Sequence, residues 1–485
     1  MRPQFQLLSD ELVARVIDEA RHLMRETGVK VQSEEARALL AEAGASVDEM
    51  REVVKIPDAV VDRVLGTVPH TFAIHDAFGE PKVVYGDGRV HFDPGSSAVQ
   101  VLDPETNTHR AAVTSDLVRI VKIAESLPQI DAQSTAVVCD EVPKEVADLW
   151  RLYVVLSMST KPVVTGSFGV ETLEAMLDMV ATMVGGRDEL RARPRAVFDV
   201  CPSPPLIWSP FGAGNLIGLA RAGVPAEMVS MPLAGAAGPV TLLGSITQHA
   251  TECLSGVVIH QLAQPGSPIV WGGAPAIFDM RKGTTPMGAI ETAMIDASYS
   301  QVGHALGLPT HAYLGTSDAK IVDAQSGMES GISAVIGALA GVDMISGAGM
   351  MEFTGCQSPE KLVVDAENIA MAKRLLEGVV PRTETLALEF FEGLDFKGDF
   401  LKQKATRDLF PLEQYVPSKV IDRDSYRGWV SSGATDTWTR AKERANELVD
   451  AFEPPALDEA ALFELRGIVE RLAKDAGMDT LPEFG

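Results

Sequence analysis

Apolar positions Leu12, Val13, Val16, Ile17, Ala20, Leu23 and Met24 recur at helical spacing behind Ser9, a good capping residue, and Gly28 stands where such a helix should end. Ser33 to Gly44 repeats that logic in a shorter helix. From Phe72 to Val101 the period changes. Short alternating pieces broken by Gly86, Gly88 and DPGSS at 93–97 predict a small sheet. From about residue 129 one phrase then repeats: a short apolar strand, a polar or glycine-rich end, and an amphipathic helix.

Strands are expected at 129–137, 161–167, 195–203, 226–235, 267–275, 309–318 and 342–350, with a weaker eighth around KLVVDAE at 361–367. Helical stretches such as 170–184, 241–263, 289–306 and 325–339 separate them. Seven or eight alternations, with no strand opening into GxGxxG, predict an α/β fold of the (β/α)8 TIM-barrel type rather than an open dinucleotide-binding sheet. The organisation expected is an N-terminal helical and small-sheet extension over 1–114, the barrel over 115–380, and a C-terminal helical segment over 381–485 packed on the barrel.

Composition narrows the partners. The 485 residues are 46% hydrophobic and 22% charged, enough for a large core, and the formal charge is -25. An acidic chain must build any phosphate-tracking surface against its own field, so nucleic acid is not expected. The first helix is amphipathic and acidic, and no apolar run reaches membrane-spanning length without charges or breakers, so a soluble cytoplasmic protein and no membrane partner are expected. Cys139, Cys201, Cys253 and Cys356 are scattered without a CxxC pair, which predicts free thiols. The nine histidines form no HxxxH, so no protein-built metal site is expected.

Catalytic groups in such barrels sit at the C-terminal ends of the strands. The stretch YLGTSDAKIVDAQ at 313–325 begins as a buried strand and ends in hydroxyls, a carboxylate and an ammonium, and the barrel register turns that run into a pocket rim. GSITQ at 244–248 lacks a nucleophile elbow, and no phosphate-binding loop is visible. Such strand ends suit a reaction in which the protein positions donor and acceptor and excludes water.

The ordered segments FDPGSSAVQVLD (92–103), DLVRIVKIAESLPQID (116–131), GTSDAKIVDAQSGMES (315–330) and KLVVDAENIAMAKRLLEG (361–378) resemble the trimethylamine methyltransferase (MttB) family. The resemblance runs across nearly the whole chain. It implies a (β/α)8 methyltransferase that passes a methyl group from a methylamine to the cobalt(I) of a corrinoid (cobalamin) carried by a separate small protein. The founding branch uses pyrrolysine. This chain contains only the twenty standard residues, and so resembles the non-pyrrolysine branch that includes glycine betaine methyltransferases. A quaternary ammonium already carries its charge and leaves as a neutral amine, so it needs less electrophilic help.

A trimethylammonium head prefers aromatic faces and negative potential. The residues expected to supply them are Tyr313, Trp271, Phe353, Phe168 and Glu352, with Lys320 meeting a substrate carboxylate, Asp318 in the catalytic position, and Gly315 and Ser317 facing the corrinoid. Asp323 suits either the substrate or a helix cap. Partners expected are a small quaternary amine, a cognate corrinoid protein and further copies of this chain in a homo-oligomer. Competing readings are a metal-dependent hydrolase or lyase gathering His249, His260, His304 and acidic strand ends, and a non-catalytic betaine-binding protein.

Overall fold

The structure, a computed structural model, describes residues 3–394, 396 and 398–484. Eight βα units follow one another: β1 (His91–Pro94) and α1 (Thr114–Ser126), β2 (Gln133–Ser134) and α2 (Ala147–Met158), β3 (Val163–Thr165) and α3 (Val170–Val184), β4 (Ala196–Val200) and α4 (Pro210–Ala222). The second half continues with β5 (Ala226–Met228) and α5 (Leu242–Ala263), β6 (Ile269–Gly273) and α6 (Ile290–Ala305), β7 (Thr310–Ala312) and α7 (Ala324–Ala340), β8 (Met344–Ala348) and α8 (Pro359–Glu377). All neighbouring strands pair in parallel, from β2 through β3 to β8 and on to β1. The circle closes where Asp131 N–H donates to Phe92 O at 2.7 Å and Ala98 bridges Val137. This is the expected TIM barrel.

Two strand expectations need correction. Residues 361–367 lie inside α8, which opens with Ser358 as cap and Pro359 in its first turn. Apolar Leu362, Val363 and Val364 beside a buried charge pair imitate a strand, yet Lys361 and Asp365 pair at 2.5 Å across one helical turn. The missing strand is β1, in the stretch assigned to the N-terminal extension. Its polar His91 and Asp93 are buried on the barrel side, so the usual apolar-inward pattern is inverted and the segment reads as a loop.

The hairpin of strands Phe72–His75 and Pro81–Tyr85 plugs the N-terminal end of the barrel. Its Ile74, Val83 and Tyr85 pack against Ala132, Val164, Val197, Val270 and Met344. At the opposite end, the chain after β1 and after β8 builds a second small sheet of Gln100–Leu102, His109–Ala111, Met350–Met351 and Cys356–Gln357. Gly95 must be a glycine there, because a Cβ would meet Met350 Sδ at 1.8 Å.

The N-terminal helix Asp10–His22 starts where Ser9 accepts a hydrogen bond from Leu12 N–H, and it packs on α5 and α6. Ser33 caps Glu34–Glu42 in the same way. Beyond the barrel, helix Thr437–Asp450 packs on α8 and α1, and helix Glu459–Asp475 packs on α3 and α2.

Candidate active site

Side chains alternate along a strand, so the apolar floor fixes what lies above it. Val197 belongs to that floor, and two residues on Asp199 points the same way; Val164 leads to Gly166, Val270 to Gly272 and Met344 to Ser346. With Asp93, Glu227, His311 and Tyr313 from β1, β5 and β7, the barrel interior changes from apolar to acidic towards its C-terminal end.

These groups form one network. Ser346 donates its hydroxyl to Asp93 Oδ1, and its oxygen lies 3.0 Å from His311 Nε2. The same nitrogen is 3.3 Å from Glu227 Oε1, while Tyr85 OH donates to Glu227 Oε2 at 3.3 Å from the plug below. Tyr313 OH donates to Asp199 Oδ2 at 3.3 Å and lies 3.1 Å from Ser96 Oγ. Asp93 Oδ2 and Asp199 Oδ1 are buried without a hydrogen-bond partner among the described residues.

Three carboxyl groups this close cannot all ionise. Burial pushes Asp93 and Glu227 far above the usual carboxylate range, and for Glu227 the charge of Asp199 adds to it. Asp199 is raised only to about 6; burial raises it, while hydrogen bonds from Glu227 and Tyr313 and the charge of Arg151 hold it down. Burial takes His311 down to about 3, leaving it neutral. Asp199 is therefore the most readily ionised carboxyl of the three. Gly272 lets β6 pass close against the cluster, since a Cβ there would lie 2.8 Å from His311 Nδ1 and 2.5 Å from Met228 O.

The residues singled out in the sequence divide between the mouth and its supports. Tyr313 reaches the cluster, and Phe168 lies half-exposed above the Arg151 guanidinium, 4.5 Å from ring centre to carbon. Trp271 does not join them: it is fully buried, donates its indole N–H to Tyr299 O at 3.0 Å, and packs against Gly303 of α6 on the outer side of the barrel wall. Asp318 accepts from Met287 N–H at 2.9 Å and Gly288 N–H at 3.0 Å, so it clamps the loop before α6; burial raises it to about 6. Ser317 is buried and donates to Glu329 Oε2 at 2.7 Å, and Gly315 is buried in a left-handed turn with its N–H on Ser333 Oγ. Neither faces an open surface.

Lys320 donates to Asp318 O at 2.6 Å with its ammonium 4.2 Å over the Phe353 ring. Glu352 lies 3.9 Å from His109 Nδ1. Asp323 caps α7, accepting from Gln325 and Ser326 N–H. Of the histidines proposed as metal ligands, His249 bonds Gly272 O and His304 bonds Thr310 Oγ1, and among the described residues no three potential ligands gather. Asp93, Asp199, Glu227, His311 and Arg151 were missed. Their signal was a lone polar residue inside an apolar strand or helix, as in RAVFDVC and PTHAYL.

The chain matches the family model "Trimethylamine methyltransferase (MTTB)" over residues 1–477. It is 31% identical over 470 residues to the trimethylamine methyltransferase MttB of Desulfitobacterium hafniense (strain DSM 10664 / DCB-2), covering 97% of this chain and 94% of that one. It is 27% identical over 477 residues to the glycine betaine methyltransferase of Desulfitobacterium hafniense (strain Y51), covering 98% of each. The fold is similar to that of the monomethylamine methyltransferase MtmB of Methanosarcina barkeri, with a TM-score of 0.54 at 11% identity over 98% of this chain and 89% of that one.

Proposed function

Since the chain belongs to the trimethylamine methyltransferase (MTTB) family, we propose that it moves a methyl group from a quaternary ammonium compound to the cobalt(I) of a corrinoid held by a separate protein. The observation that carries this reading is the buried Asp93, Asp199 and Glu227 cluster under Tyr313, which sets carboxyl groups beside an aromatic ring at the barrel mouth, the two elements a quaternary ammonium prefers. The partner's cobalt(I) is the methyl acceptor and hence a substrate. It attacks one N-methyl carbon; the C–N bond breaks with both electrons remaining on nitrogen, and a neutral tertiary amine leaves. No protein base has to remove a proton, in keeping with a neutral, buried His311.

This chain's own task is placement. Asp199 and the ring of Tyr313 hold the ammonium, the apolar floor sets its depth, and one methyl is left facing the mouth. As the donor loses its charge the cluster releases the product, because a neutral amine no longer complements Asp199. A partner must cover the mouth, and the C-terminal face carries exposed Phe168, Met231, Met280 and Met328, adaptable apolar groups suited to docking another protein.

Among the described residues no helix is long and apolar enough to cross a membrane. We place the reaction in the cytoplasm, in a homo-oligomer of this chain. Incubation of the purified protein with cob(I)alamin and a panel of methylated amines, followed by absorbance, tests the reading. Methylcobalamin should form with quaternary donors; formation with tertiary amines alone, or with none, would overturn it.

A further inference from the structure

Arg151 is a fully buried cation that forms no ion pair among the described residues. It stands in the second turn of α2, and its polar contacts are all with neutral groups: Nη1 donates to Ser97 Oγ and Thr135 O, both at 2.8 Å, and Nη2 reaches Gly166 O only at 3.5 Å. Nε has no hydrogen-bond partner among the described residues. The neighbouring carboxylate of Asp148 is otherwise engaged, accepting from Phe168 N–H at 2.7 Å and Thr172 Oγ1 at 2.6 Å. Burial lowers the guanidinium only to about 10, so it stays charged at neutral pH. The charges of Asp148 and Asp199 act on it through space, yet no carboxylate hydrogen-bonds it among the described residues, and a buried guanidinium with unmade hydrogen bonds is costly to keep.

The least satisfied side of the guanidinium is its Nε–Nη2 edge, the geometry that receives a carboxylate through two parallel hydrogen bonds. Its surroundings place that edge beside the cation site. Ser97 follows Ser96, which contacts Tyr313 OH, and Gly166 lies against Asp199, where a Cβ would be 3.3 Å from Asp199 Cβ. Adjacent strands lie about 5 Å apart, a span that a short zwitterion bridges. Phe168 covers the guanidinium face and shields it from water. Lys320 is less suited to a buried carboxylate, being exposed and turned onto Phe353 and Asp318 O.

We infer that Arg151 is the anion-recognising residue of this pocket, taking the carboxylate of a zwitterionic quaternary ammonium donor while Asp199, Glu227 and Tyr313 take the ammonium head. The inference rests on the reading of a quaternary ammonium donor, and it assigns what selects a carboxylate-bearing donor over a plain one.

The test compares glycine betaine with choline and tetramethylammonium, which keep the charged head and lack the carboxylate. Binding is followed by calorimetry and methyl transfer by cobalamin absorbance, in wild type, Arg151→Met and Arg151→Lys. Loss of one charge-assisted bidentate contact corresponds to about thirtyfold, so Arg151→Met should weaken glycine betaine by about that factor relative to whatever change it makes to the other two donors, with Arg151→Lys between. An equal loss for all three donors would make Arg151 a structural tie between strand ends and overturn the inference. Wild type supplies a test without a variant: choline bound as tightly as glycine betaine would also overturn it. Betaine binding that needs Arg151 but leads to no transfer would sink the methyltransferase reading and leave this inference standing, while transfer from tetramethylammonium with no preference for the zwitterion would do the reverse.

Discussion

The phenol of Tyr313 donates to Asp199 Oδ2 at 3.3 Å, and with it the end of β7 reaches across the barrel to β4. This one contact joins the aromatic face and the most easily ionised carboxyl of the site, the two elements a quaternary ammonium requires. Removing either end separates them. Tyr313→Phe keeps the ring and frees Asp199 from a hydrogen bond that holds its pKa down, so the acid limb of kcat/KM should move to higher pH. Tyr313→Ala should lower kcat/KM by about five- to thirtyfold, or about 1–2 kcal/mol.

Asp199→Asn should lower kcat/KM by about ten- to a hundredfold at pH 7.5 and remove the acid limb centred near 6 in the wild type. Stability should move the other way. A carboxyl whose folded pKa is raised stabilises the fold below its unfolded pKa, and that contribution is lost as pH rises through about 6. Thermal melts should therefore show Asp199→Asn above wild type at pH 7.5, with the difference shrinking towards pH 5. A variant less stable than wild type at pH 7.5 would mean Asp199 holds the barrel together.

Trp271→Ala separates wall from mouth. The indole fills the space between β6 and α6 and donates to Tyr299 O, so its loss should cost about 3–5 kcal/mol of stability. Donor affinity measured on the fraction that remains folded should change less than threefold. Chemical denaturation and calorimetry on the same sample check both.

Asp318→Asn leaves one carbonyl oxygen for the two backbone N–H groups of Met287 and Gly288 and sets an NH2 donor against the other, and should destabilise by about 1–3 kcal/mol. Its pH profile should keep the wild-type acid limb, because that limb belongs to Asp199. Loss of the limb in Asp318→Asn, assayed as kcat/KM against pH, would return the catalytic position to Asp318.

How far the sequence reaches is visible in these same residues. Seven of the strands and the helices between them follow from apolar period, because they are buried against apolar neighbours, as with Val163 to Thr165 or Ile269 to Gly273. Polar period is misleading wherever the barrel interior itself is polar: His91 and Asp93 make β1 resemble a loop, and buried Lys361 and Asp365 help α8 resemble a strand. The run 315–320 has the composition of a site, yet its groups are occupied by neighbouring loops. Asp199, Glu227 and Arg151 stand alone in apolar surroundings and converge only once the barrel closes. Local pattern carries no information on that convergence.

Met280 and Met328 are 66% and 67% exposed on the C-terminal face. Met280→Asp and Met328→Asp should slow transfer to a protein-borne corrinoid by about tenfold through weakened docking, and leave transfer to free cobalamin unchanged. Equal loss with both acceptors would mean the substitution has disturbed the donor pocket.

The central claim is that a cation binds against Asp199, and its most direct test is the proton count on binding. A cation beside a carboxyl that titrates near 6 lowers its pKa and expels the proton. Calorimetric titration of a quaternary ammonium ligand in two buffers of different ionisation enthalpy measures that release. The wild type should lose about half a proton at pH 6 and almost none at pH 8, and Asp199→Asn should lose none at either. Binding without proton release at pH 6, or release that persists in Asp199→Asn, would contradict the account.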